Sequence, residues 1–149
     1  MNCIIINPQV DCFIDTNILV YAFDRSAGQK HAVAAQLLED LWANETGNIS
    51  IQVLQEFIVI VTHKVAPPLD QHTARQIIAD LAHWRVHSPN VTHIFGALDL
   101  QERYRLSFWD AMVIQSAACL GCKQLLSEDL NHGQVYGDVQ VINPFSEID

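Results

Sequence analysis

With 149 residues and 16.7 kDa, half of them apolar or aromatic, the chain can enclose one hydrophobic core but not two, and its six Gly and five Pro argue against a disordered or fibrous protein. No apolar run approaches the roughly 18 residues of a membrane span, and Met1-Asn2-Cys3-Ile4 lacks the basic flank of a secretory signal, so a cytoplasmic protein is expected. Seventeen acidic against eight basic residues give a net charge of −9, which repels a phosphate backbone unless the acids are gathered around divalent cations.

Residues 1–10 form a leader in which Ile4-Ile5-Ile6 either adds an edge strand or packs on the surface. Cys12, Phe13 and Ile14 form a short buried-strand pattern that ends at Asp15, followed by a helix from Ile18 to Phe23. Ser26-Ala27-Gly28 predicts a turn, and Val33, Leu37, Leu38 and Leu41 recur at helical spacing in a helix over about 31–42. Asn48-Ile49-Ser50 reads as a very short strand feeding a helix over about 51–64, which Pro67-Pro68 stops. Asp70 caps a helix over about 71–84, and Arg85-Val86-His87 adds an edge strand before Ser88-Pro89-Asn90 turns the chain.

A helix over about 91–105 follows, and Ser107-Phe108-Trp109-Asp110 then opens an almost wholly apolar helix over 111–120 that protein must cover on most sides. Gly121 ends it, Lys123 to Leu126 is a strand, 127–137 a polar loop, and Val139 to Ile142 the last strand. Short strands alternating with longer helices predict an α/β fold, one domain over 1–149 with a mainly parallel central sheet and helices on both faces. All four cysteines, Cys3, Cys12, Cys119 and Cys122, lie in or beside apolar segments and read as reduced, buried small hydrophobes.

In such sheets ligands bind outside the carboxyl ends of strands, and Asp15 and Asp129 stand after two of them. Glu56 and Asp110 lie on helices among apolar neighbours, where unpaired acids are rare. Each has a second reading: Asp15 or Asn17 as a helix cap, Ser107 to Asp110 as a capping box, Glu56 facing solvent and Asp129 as a turn residue. Gathered carboxylates need protons or cations, and Mg²⁺ suits an all-oxygen set with open positions for phosphate and water.

Taken together, Asp15-Thr16-Asn17 after a buried strand, Glu56 in a mid-chain helix, Ser107-Phe108-Trp109-Asp110-Ala111 and the run Leu126 to Gly133 resemble the successive motifs of the PIN-domain family, most closely its VapC-type toxins. The order and approximate spacing agree from Asp11 to Phe145, while the leader is longer than the family usually shows. The resemblance implies a three-layer PIN-like domain acting as an endoribonuclease, with Asp15, Glu56, Asp110 and Asp129 as catalytic ligands of Mg²⁺ or Mn²⁺. Asn17, Ser127 and Asn131 would support them, and Asp129 is preferred over the adjacent Glu128. It also implies an RNA substrate, a cognate antitoxin and a homodimer. A catalytically idle PIN scaffold that binds RNA or protein is the alternative. A phosphoaspartyl phosphatase fits poorly, because Asn17 stands where that chemistry needs a second Asp.

Arg103-Tyr104-Arg105 either contacts RNA or ends a helix with its cations against the dipole. His83 and His87 with Cys119 and Cys122 have zinc-donor chemistry, but the His pair straddles a helix end and the Cys pair closes an apolar helix, which argues against a site. The same position at a helix end disfavours a redox pair, and His132 reads as a solvated loop residue or a substrate contact.

Overall fold

In the computed structural model, which describes residues 4–148, strand β1 spans Cys12–Ile14 and all three of its residues are buried. Successive side chains of a strand point to opposite faces, so this burial requires cover on both. β2 (Gly47–Ser50) and β4 (Gln124–Leu126) flank β1, both parallel to it, with Cys12 in register with Gly47 on one side and Gln124 on the other. β3 (Arg85–His87) adds to β2 and β6 (Val139–Ile142) to β4, again in parallel. The resulting order is β3-β2-β1-β4-β6-β5, closed at one edge by the antiparallel β5 (Val135–Tyr136). This is one α/β domain of the predicted class.

The helices are α1 (Thr16–Phe23), α2 (Gln29–Asn44), α3 (Ile51–His63), α4 (Gln71–Leu81), α5 (Val91–Tyr104) and α6 (Phe108–Cys119). Short polar side chains start several of them: Ser50 accepts from the Val53 N–H, Asp70 from Thr73 and Asn90 from His93. Helix α1 packs on α2 and α3, while α5 and α6 form a hairpin whose second arm lies along β2, β4 and β6. Phe13, Leu19, Phe57, Ile114 and Leu125 lie at the centre of the main core, and among the described residues no helix is long and apolar enough to cross a membrane.

Three differences from the sequence reading have physical causes. Helix α1 begins at Thr16 rather than Ile18, because Asp15 caps it directly. Helix α4 stops at Leu81 rather than Trp84, whose ring packs on Trp42 and lies over Gly47, where an added Cβ would come within 2.6 Å of it. The polar loop over 127–137 contains β5, which turns into β6 through Gly137 at φ 61°. Of the two readings of the leader, packing is the one seen: no strand forms among its described residues, Ile4 and Ile6 are partly buried against the core, Ile5 is exposed, and the Asn7 N–H donates to Gln124 Oε1 at 3.1 Å.

Cys12 and Cys122 are buried, and burial pushes both thiols up to about 12. Cys119 is exposed instead, because it closes α6 on its outer side, and Cys3 lies outside the described residues.

Candidate metal centre

The chain leaves β1 toward β2 on one side and returns through β4 on the other, so the sheet order reverses between β1 and β4. At such a switch point the loops after the two strands diverge and leave a crevice. Asp15 and Ser127 are the residues that follow these strands, and they are locked together. The Asp15 N–H donates to Leu126 O at 3.0 Å, and Ser127 Oγ donates to Asp15 Oδ2 at 2.7 Å. Asp15 Oδ1 accepts from the Thr16 N–H at 2.8 Å, so this carboxylate caps α1 as well.

A chain of hydrogen bonds leads outward from this buried pair. Thr16 Oγ1 donates to Glu56 Oε2 at 3.2 Å, and Gln52, one turn earlier on α3, donates to Glu56 Oε1 at 2.8 Å. On the other side the Asp129 N–H donates to Ser127 Oγ at 3.2 Å, and Asn17 Nδ2 donates to Asp129 Oδ2 at 2.8 Å. Ser107 caps α6 by accepting from the Asp110 N–H at 3.1 Å; the Ser107 half of the predicted capping box is formed, and the Asp110 carboxylate is not part of it.

Electrostatics joins Asp110 to the same group. Burial above all raises the Asp15 carboxyl to about 6, opposed by the hydrogen bonds from Ser127 and Thr16 and reinforced by the charges of Asp129 and Asp110. Asp129 is also raised, by desolvation and then by Asp110, Glu128 and Glu56, with Asn17 opposing. The buried Tyr136 is raised by burial and then by Asp110 and Tyr104. Four acids thus share one field, and among the described residues the salt bridges are Lys30–Glu128 and Arg85–Asp11, neither of which involves them.

An all-oxygen donor set with no cationic partner fits a hard divalent ion. The fit is loose, since no three of the acids bring their oxygens within 4.8 Å of one another among the described residues. Mg²⁺ retains several waters, which can span such gaps between carboxylates.

The remaining predicted residues divide. Glu128 turns away to the Tyr21 hydroxyl and Lys30, leaving Asp129 as the acid in the crevice. Asn131 donates to Gln134 at 3.0 Å, and His132 Nδ1 accepts from the Asn143 N–H at 3.0 Å, so both brace their own loop. Arg103 and Arg105 are exposed, Arg103 against the Tyr104 ring and Arg105 in the left-handed conformation that ends α5. Thr16 and Gln52 had no assigned part in the sequence reading; Gln52 was detectable as an i,i+4 partner of Glu56, whereas the reach of Thr16 to α3 was not.

The sequence from residue 12 to 138 matches the PIN domain family. The chain is a PIN domain. This PIN domain is similar in structure to a toxin–antitoxin complex from Klebsiella pneumoniae, at 20% identity over 90% of this chain and 98% of that chain, with a TM-score of 0.66. It is also similar to the sarcin–ricin loop cleaving toxin VapC20 of Mycobacterium tuberculosis, at 18% identity over 80% and 92% of the two chains, TM-score 0.59. A third likeness is to VapBC2 of Rickettsia felis bound to a promoter DNA fragment, at 17% identity over 87% and 96%, TM-score 0.60. At these identities the likeness is one of fold. No curated protein matches the sequence significantly.

Proposed function

We propose that this PIN domain is a Mg²⁺- or Mn²⁺-dependent endoribonuclease that acts as the toxin of a toxin–antitoxin pair in the cytoplasm. The observation that carries the reading is the buried Asp15 at the switch point, coupled by hydrogen bonds and charge to Glu56, Asp129 and Asp110. Asp15, Glu56, Asp110 and Asp129 would hold the metal, which when bound offsets phosphate charge and makes a water nucleophilic. Ser127 and Thr16 orient Asp15, Asn17 orients Asp129, and Gln52 with Thr16 orients Glu56. With the metal bound, the crevice attracts a phosphate backbone, and the exposed Arg103 and Arg105 offer further phosphate contacts.

The fold likeness to a toxin that cleaves the sarcin–ricin loop supports RNA as the substrate, and the likeness to toxin–antitoxin complexes supports an antitoxin partner. A concavity of about 440 Å³ between α3 and α4, lined by Ile51, Leu54, Ile58, Arg75 and Ile78, suits the apolar side of such a partner. An exposed apolar row on α5, Val91, Ile94, Phe95 and Leu98, supports a homodimer.

RNA cleavage is to be measured for the purified protein with Mg²⁺, with chelator and as Asp15→Ala. Cleavage in the first alone is expected, and equal cleavage in all three overturns the reading. The separation of the acids favours a second reading, a catalytically idle scaffold that binds RNA or protein. Calorimetry distinguishes them: the nuclease takes up Mn²⁺ and loses it on Asp15→Ala, whereas the scaffold binds none.

A further inference from the structure

At the edge of the sheet, away from the acids, three donors from separate elements meet. One ring nitrogen each of His87 and His93 and the Sγ of Cys119 lie within 4.8 Å of one another. His87 ends β3, His93 sits in the first turn of α5, and Cys119 closes α6. Asp110 is in the first turn of α6, about 13 Å from Cys119 along the helix axis, so the group is separate from the acid crevice.

His87 is buried; its Nδ1 lies 2.8 Å from Ser116 Oγ, while its Nε2 has no hydrogen-bond partner. A buried imidazole nitrogen left in this way is costly and calls for an explanation. Burial first and the neighbouring His93 second lower the pKa of His87 and favour the neutral ring, the form that ligates metals. His93 Nε2 lies 3.4 Å from Cys119 Sγ, close to the ~3.5 Å that separates a nitrogen and a sulfur ligand on one tetrahedral Zn²⁺. The two imidazoles stand edge to face with centroids 4.5 Å apart, so a small closure brings the third donor in.

We propose that His87, His93 and Cys119 form a zinc site that clips the edge strand β3 to the α5–α6 hairpin. Nitrogen and thiolate donors select a borderline-soft ion and disfavour the hard ions suited to the carboxylates. Ser116 Oγ accepts from the His87 Nδ1–H and so presents Nε2 to the metal. On His93, zinc at Nε2 leaves the ring proton on Nδ1, so the 2.9 Å bond that Nδ1 accepts from the Asn90 N–H is given up; the 3.3 Å bond from the His93 N–H to Asn90 Oδ1 is kept. Cys119 releases its thiol proton to solvent, and water fills the fourth position.

The test uses the full, untagged chain, stripped with chelator and titrated with Co²⁺ as a spectroscopic substitute for Zn²⁺. A near-ultraviolet thiolate-to-cobalt band saturating at about one equivalent is expected, bleached by Zn²⁺ and absent in Cys119→Ser. Cobalt binding to His93→Gln weakens by at least about tenfold, since loss of even a ligand's supporting hydrogen bond costs roughly 10–100-fold. Asp15→Asn keeps the band because carboxylates give no sulfur charge transfer, so this site and the nuclease reading fail independently. Cys119 is exposed, so its substitution leaves the fold intact by circular dichroism, and in an Asp15→Asn background, where the acid crevice is disabled, Zn²⁺ raises Tm with Cys119 present and not with Cys119→Ser. A wild type without the thiolate band, or an equal band in Cys119→Ser, overturns the proposal.

Discussion

Asp15 carries two duties that conflict in the absence of metal: it caps α1, and it holds a charge in a buried place among other acids. Its carboxyl sits at about 6 against a usual 3.8. A group whose folded pKa exceeds its unfolded one adds stability below the unfolded value and loses it as pH rises through the folded one. Ionising Asp15 near neutral pH therefore costs the metal-free fold on the order of 3 kcal/mol. Asp15→Asn is expected to stabilise the metal-free protein by about 1–3 kcal/mol at pH 7.5, with the gain vanishing toward pH 4. Mg²⁺ should stabilise the wild type and leave the variant unchanged. Urea denaturation with and without Mg²⁺ at both pH values checks this; a variant less stable than wild type at pH 7.5 would mean that the cap outweighs the buried charge.

Among the elements, β2 shows how a short strand depends on its neighbours. Gly47 has no side chain because the Trp84 ring occupies that space, and Trp84 in turn leans on Trp42 of α2. Gly47→Ala forces the ring away from its place and is expected to cost about 1–3 kcal/mol, read from the urea midpoint. Substitution at Gly28, where a Cβ meets nothing within 4 Å, tests backbone strain at φ 63° without such a clash and serves as the comparison. The same dependence explains why α4 stops short: the tertiary position of Trp84, and not helix propensity, decides where the chain leaves the helix.

For the molecule as a whole, a net charge of −9 opposes a phosphate backbone, so the proposed RNA binding would have to be local, through the metal and the few exposed arginines. The apolar row on α5 lies outside the core, with Phe95 63% exposed and Trp109, on the adjoining α6, equally so. If it joins two copies, Phe95→Glu places a charge in the interface and converts a dimer to a monomer by light scattering. A wild type that is monomeric at all concentrations removes the homodimer from the proposal and leaves the acid crevice as it is.

Periodicity, caps and breakers are local, and the elements they govern were legible: β1, the Asp70 cap of α4 and the apolar α6 stand close to where the pattern puts them. The kinds of acid and their order along the chain were also legible. The choice of Asp129 over Glu128 came only from the family resemblance: the two are neighbours in sequence, and the packing of Lys30 and Tyr21 on one and Asn17 on the other is what separates them. The Thr16 bridge to Glu56 and the meeting of His93 with His87 and Cys119 were hidden for the same reason. Sequence spacing determines what a residue can do within a few turns of itself, whereas contacts between distant segments depend on how strands are ordered in the sheet, and that order is set by the packing of the whole core.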